Sequence, residues 1–270
     1  MEKLKEDILT MIEKAGGTWG IVIEDLDRNL RWGINEHVQF PAESVIKIPI
    51  MAAVFSAVEK QQISLSEEIV LKRENLVGGS GILQHLTPGI RLPVFDLLTL
   101  MIVQSDNTAT NMLIDLAGIK HIQQTLRDIG MEESSFQRKL IIYPADTNKR
   151  NVITASDISV LLNALATGKI VSRHSCQQMI NIMKKQQIRN GLPAYLPDPD
   201  PEMIGGMPKW ELANKTGWSG DRQHDVGILY AGDRTVTITA LSQGVNSAIA
   251  LDTLAKIGKG IYLNIGSDCG

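Results

Sequence analysis

The chain has no basic field, no long apolar run and almost no cysteine, and each shortage removes a class of function. Lys and Arg number 27 against 30 Asp and Glu, a net charge of −3, and the cations are scattered rather than striped, so no nucleic acid partner is expected. No segment approaches the length of a membrane span, so no membrane partner is expected either. The N-terminal MEKLKEDILTMIEKAGG alternates charged and apolar residues at helical spacing and lacks the continuous apolar segment of a secretion signal. It predicts an amphipathic helix in a cytoplasmic protein, or in a trimmed mature one. With two cysteines, Cys176 and the near-terminal Cys269, a disulfide framework is not expected. His85, His174 and His224 come without His-x-x-x-His or Cys-His spacing, so they read as surface or structural residues, and neither a metal nor a cofactor is expected.

What is present is ordinary for a globular protein: 270 residues, 43% apolar and 21% charged, enough for one compact enzyme of two closely packed parts. After the opening helix, TWGIVIEDL and LRWGINEH read as a hairpin around Asp27-Arg28-Asn29. Helical runs then follow over Ile48–Lys60, Val94–Gln104, Asn107–Ala117, Ile119–Ile129, Ser156–Thr167 and Arg173–Lys184. Beyond Gly191 and the proline-rich LPDPDPE, strands return in KWELANKTGW, HDVGILYAG and RTVTITALSQ, and a helix over Ala248–Leu263 closes the chain. The pattern predicts an α/β, more strictly α+β, molecule with a five-stranded antiparallel sheet flanked by terminal helices. Residues 1–43 and 191–270 build the sheet part, 44–190 an inserted all-helical part, and the active site lies between them.

Three short motifs carry chemistry. Ser44 to Lys47, S-V-I-K, stands at the start of an apolar helix. There the lysine, one turn on, can take the serine proton if burial or a neighbouring cation lowers its pKa. The unpaired Ser44 N–H can face a developing oxyanion. Ser105-Asp106-Asn107 lies between two helical runs, where capping alone would also explain these residue types. Lys215-Thr216-Gly217, late in a strand and followed by Trp218, can hold a carboxylate and lets a substrate backbone approach. Pro49 falls close enough to the helix start to be tolerated, and Met101, Met112, Met179 and Met183 fall at core positions.

The triple S-x-x-K, S-D-N, K-T-G in this order and context resembles the class A branch of the β-lactamase and penicillin-binding-protein family over nearly the full chain. The resemblance implies a serine hydrolase. Ser44 is its nucleophile, and Lys47 is the base, acting directly or through water. Ser105 carries a proton to the leaving amine. Asn107 binds the substrate's side-chain amide and orients Lys47, while Asp106 shapes the loop. Lys215 and Thr216 bind a carboxylate, and the backbone N–H groups of Ser44 and Trp218 form the oxyanion hole. The partner is a small molecule, a β-lactam, D-peptide or ester, and the protein is expected to be a monomer. A D,D-peptidase, an esterase or a β-lactam-binding module that does not turn over stays open.

One family element is missing. Class A β-lactamases carry a loop E-x-x-L-N whose glutamate activates the deacylating water, but this chain reads FQRKLIIYPADTNKRNVI before the capping box Thr154 to Asp157. The glutamate position falls near Arg138 or Lys139, and Asp146 is the loop's only carboxylate. Glu132 and Glu133 read as solvated charge. Release of a β-lactam acyl group is therefore expected to be slow. Gly78-Gly79-Ser80-Gly81 lacks a Walker lysine and reads as a flexible turn over the cleft.

Overall fold

A computed structural model describes residues 2–141, 148–199, 206 and 208–266. The elements in chain order are α1 (Glu2–Ala15), β1 (Thr18–Asp25), β2 (Leu30–Ile34), β3 (Phe40–Pro41), α2 (Lys47–Glu59), β4 (Glu68–Val70), β5 (Arg91–Pro93), α3 (Val94–Val103), α4 (Asn107–Ala117), α5 (Ile119–Ile129), β6 (Val152–Ile153), α6 (Ala155–Ala166), α7 (Arg173–Met183), β7 (Trp210–Ser219), β8 (Arg222–Ala231), β9 (Arg234–Gln243) and α8 (Ser247–Gly266).

Five strands form one antiparallel sheet in the order β2-β1-β9-β8-β7, so the first and last parts of the chain meet at the β1–β9 ladder. Alternation along the strands splits the sheet's side chains between two cores. Ile21, Ile23, Leu212, Leu229, Val236 and Ile238 pack with α1 and α8 residues such as Ile8, Leu254 and Ile257. Val22, Ala213, Val226, Ile228 and Leu241 pack with the helices α2 to α7 on the other face. Helix α2 is apolar all round and buried from Lys47 through Phe55. Such a helix must sit at the centre of its layer, and it carries the S-V-I-K segment into the junction of helices and sheet.

The inserted region is not purely helical. Beside its helices it holds the two-stranded ribbon β4–β5, and β6 pairs with β3 just ahead of Ser44. These pieces run only two or three residues, too short for alternation to register in the sequence. Cys176 is a buried free thiol, whereas Cys269 lies outside the described residues. No described helix is long and apolar enough to cross a membrane.

Candidate active site

Strand β3 delivers the chain to Ser44. Phe40 pairs with Ile153 and Pro41 with Val152, and Ala42 N–H donates to Asn151 O at 2.9 Å. Glu43 then takes a left-handed φ of 43°, a strained choice for a side chain with a Cβ, and a 3-10 turn over Glu43–Ile46 runs into α2. The strain is held from outside, because Arg222 Nε on β8 reaches Glu43 Oε1 at 3.2 Å. Burial raises the Glu43 carboxyl pKa, partly offset by the charges of Arg222 and Arg138. Ser44 emerges from this kink into a cleft of about 1350 Å³ that Gly79, Asn107, Leu140 and Trp218 also line.

Behind Ser44 the three motifs meet. Lys47 is fully buried, and its Nζ lies 2.7 Å from Ser105 O, 3.0 Å from Ser105 Oγ and 2.9 Å from Asn107 Oδ1. Burial first, then the charge of Lys215, drives its pKa well below the usual lysine value. Lys215 Nζ approaches the same Ser105 Oγ at 3.1 Å and donates to Thr216 O at 2.7 Å. Its pKa is lowered by burial to about 7, against the opposing pull of Asp225. Ser105 thus stands between two lysines, and it too has a left-handed φ, 53°. A helix cap needs no hydroxyl held between two amines on a strained backbone, so capping alone does not account for Ser105.

Asp106 shapes the loop. Its Oδ1 caps α4 by accepting from Ala109 N–H at 2.9 Å, and Oδ2 accepts from Ile82 N–H and Leu83 N–H at 2.7 and 2.8 Å. A Cβ on Gly81 would fall 2.3 Å from that carboxylate, so only glycine admits the clasp. The Gly78–Gly81 segment is accordingly pinned rather than a flexible turn. Gln84 Nε2 donates to Gly79 O at 2.6 Å and Gly81 O at 3.0 Å, Asn107 N–H to Ser80 O at 3.0 Å, and Asn107 Nδ2 to Gly78 O at 3.1 Å.

Strand β7 forms the other side, as an edge strand with one row of backbone groups unpaired by the sheet. A Cβ on Gly217 would stand 2.9 Å from Ser44 N and 3.1 Å from Val45 N, so its lack of a side chain keeps space in front of the Ser44 amide. Trp218 is 41% exposed and leans over the cleft. Lys215 and Thr216 do not reach the open cleft. Lys215 is buried under it, and Thr216 lines an adjoining cavity of about 180 Å³ with Asn190, Trp218 and Gln223, where its buried Oγ1 has no hydrogen-bond partner among the described residues. His224 is buried and structural. Ser242 N–H donates to its Nδ1 at 3.2 Å, so the proton sits on Nε2 and is given to Pro41 O at 3.0 Å. Burial lowers its pKa to about 4.

The remaining wall is the segment between α5 and α6, where Arg138, one of the two positions at which the glutamate was expected, lines the cleft and no described carboxylate of the segment does. Lys139 turns away to an ion pair with Asp115. Leu140 lines the cleft beside Arg138 and Ile141, and its backbone is clamped: its N–H donates to Asn111 Oδ1 at 2.9 Å and its O accepts from Asn111 Nδ2 at 2.8 Å. Asn111, one turn after Asn107 on α4, was not singled out by motif, and its i, i+4 spacing was the available signal. Asp146 lies outside the described residues. Glu133 is exposed, as expected of solvated charge, and its carboxylate also meets His37 Nδ1 at 2.8 Å and raises that imidazole's pKa. Thr154 caps α6 through Asp157 N–H, but Asp157 spends its own carboxylate on Glu133 N–H, so the predicted box closes on only one side. Among the described residues no group of three or more His, Cys, Asp or Glu could hold a metal.

A left-handed serine between two buried lysines, one helical turn from a cleft serine, on a sheet-and-helix junction, is the arrangement of the serine acyl-transfer class. The chain belongs to the β-lactamase enzyme family, whose model matches residues 3–265. It is 25% identical over 240 residues to β-lactamase BRO-1 of Moraxella catarrhalis, covering 83% of this chain and 72% of that one. The crystal structure of a β-lactamase from Sphaerobacter thermophilus superposes with a TM-score of 0.89 at 29% identity, covering 98% and 97% of the two chains. A variant of PBP-A solved as its acyl-enzyme with penicillin G shares the fold, with a TM-score of 0.85 at 24% identity and coverage of 99% and 97%. The fold is that of class A β-lactamases, and the family is one of serine hydrolases.

Proposed function

We propose that the protein forms an acyl-enzyme on Ser44 with a carboxylate-bearing amide or ester, a β-lactam among them, and releases a β-lactam acyl group slowly. The observation that carries this reading is Ser105 Oγ, 3.0 Å from Lys47 Nζ and 3.1 Å from Lys215 Nζ. Burial favours a neutral Lys47, which can accept the Ser44 proton. Ser105 links that amine to Lys215 and can pass the proton on to the leaving nitrogen. The N–H groups of Ser44 and Trp218, either side of the gap kept by Gly217, stabilise the oxyanion. Asn107 orients Lys47, and the charge of Lys215, buried beneath the cleft, attracts the substrate carboxylate toward β7 without touching it, while Thr216 stays in the adjoining cavity. All these residues come from one chain, so the reaction needs no second copy.

The wall between α5 and α6 presents Arg138 and the apolar Leu140 and Ile141 to the cleft and no carboxylate among its described residues, which supports slow release and with it the reading as a β-lactam-binding module. A missing general base costs about 10²–10⁴-fold on the step it serves. The penicillin G bound to the PBP-A variant makes a penicillin the natural probe. A fluorescent penicillin should label the protein stoichiometrically and persist long after free probe is removed, and Ser44→Ala should take no label. Labelling of Ser44→Ala, or rapid steady turnover after the burst, would overturn the reading.

A further inference from the structure

The cleft is locally cationic in a protein whose net charge is −3. Arg138, Arg150 and Arg222 line it against two carboxylates, Glu43 and Asp221, leaving one cation in excess. Arg222 is committed to both acids, its Nε lying 3.2 Å from Glu43 Oε1 and 3.8 Å from Asp221 Oδ1. The excess therefore falls on the loop wall. Arg138 is anchored there by a single side-chain bond, Nε to Lys149 O at 3.0 Å, with its terminal N–H groups left for other partners. Arg150 is exposed and fixed through its backbone, N–H to Gln137 Oε1 at 3.1 Å, while its guanidinium bonds to no described residue. Leu140 and Ile141 beside them offer apolar surface.

Neither arginine serves the acylation steps proposed above. With the carboxylate end of a donor drawn toward β7 by the charge of Lys215, the acyl arm is left to the loop wall that lines the same cleft. We propose that Arg138 and Arg150 form a subsite for an anionic group on the acyl arm, so that the preferred acyl donors are dianions with one carboxylate at each end. The inference rests on the Ser44 acyl-enzyme reading. A guanidinium presents a planar pair of donors that matches a carboxylate, and two of them at a cleft rim raise both capture rate and affinity in a salt-dependent way.

The test compares acylation by benzylpenicillin with acylation by carbenicillin, which differs by one carboxylate on the acyl arm. The second-order rate constant should favour the dianion by about three- to tenfold at low ionic strength, and the preference should shrink in 0.5 M salt, a concentration at which screening acts over only a few ångströms (about 4 Å). Arg150→Gln should remove most of it with benzylpenicillin acylation unchanged. Arg138→Lys should keep part of it, guarding against a loop disturbed by Arg138→Gln. Equal acylation by the two penicillins, or a preference untouched in Arg150→Gln, overturns the subsite while leaving the acyl-enzyme intact. Failure of both penicillins to label Ser44 overturns the acyl-enzyme reading and the subsite with it.

Discussion

Gly217 shows how one missing side chain decides whether the site can work. The residue lies on extended strand rather than in a left-handed turn, so its value is space: a Cβ there would press to 2.9 Å on Ser44 N and 3.1 Å on Val45 N. Both contacts are to backbone, which cannot swing aside as a flexible side chain would. Gly217→Ala must therefore push β7 away from the Ser44 turn or tilt the Ser44 N–H, at a cost of about 1–3 kcal/mol in stability. Losing one oxyanion donor costs about 10²–10³-fold in rate. Stopped-flow acylation of Gly217→Ala by a penicillin should fall by about 10²-fold while the melting temperature drops only by several degrees. An unchanged acylation rate would mean that the oxyanion is not held between Ser44 and Trp218. Glu43 works at the same scale from the other side, its left-handed backbone tied to β8 through Arg222.

The segment between α5 and α6 is the element that lacks the E-x-x-L-N pattern expected from the class A resemblance. Asn111 clamps Leu140 through both backbone groups, so the side chain at 140 has a fixed origin at the cleft. Leu140→Glu should accordingly place a carboxylate where the cleft wall is apolar now, and, if the proposed acyl-enzyme forms, speed loss of penicillin label by about 10²–10⁴-fold with the acylation rate little changed. Label that persists as in the parent protein would show that position 140 does not face the ester bond. Counting along the sequence points to Arg138 or Lys139, and Arg138 does line the cleft; that Leu140 stands beside it, clamped by Asn111, is a tertiary contact with no trace in the sequence. The helices were legible for the opposite reason, since local signals bound them. Asp106, Thr154 and Ser172 each cap the next helix by accepting from the backbone N–H three residues on, and every interior helix from α2 to α7 begins and ends within one residue of its expected run. The motifs Ser44-Lys47, Ser105-Asn107 and Lys215-Gly217 were legible as patterns, but their meeting at Ser105 Oγ was not. The pairing of Glu43 with Arg222 and the tying down of Gly78–Gly81 by Gln84 and Asp106 leave no periodic trace at all.

Across the whole molecule, two buried groups adjacent on β8 make opposite demands on pH. His224 is held neutral, with a folded pKa of about 4 against the usual 6.5, because burial disfavours its charge and outweighs the hydrogen bond from Nε2 to Pro41 O. Between those values the unfolded chain binds the extra proton, so His224 makes stability rise with pH from about 4 to 6.5. Asp225 is shifted the other way, to about 6 from 3.8, by burial that outweighs the N–H groups of Asn214 and Leu192. Over nearly the same window the folded protein binds the extra proton, so Asp225 makes stability fall as pH rises. At about 1.36 kcal/mol per unit, each is worth on the order of 3 kcal/mol, and the two nearly cancel. Urea denaturation should give the parent protein a flat profile between pH 4 and 6. Replacing the imidazole in His224→Asn leaves Asp225 unopposed, and stability should then decline from pH 4 to 6. Asp225→Asn should do the reverse, losing stability as pH falls from 6.5 to 4. Two variants with parallel, flat profiles would mean that these side chains titrate alike in the folded and unfolded chain, and that the strand behind Thr216 is wetter than its burial implies.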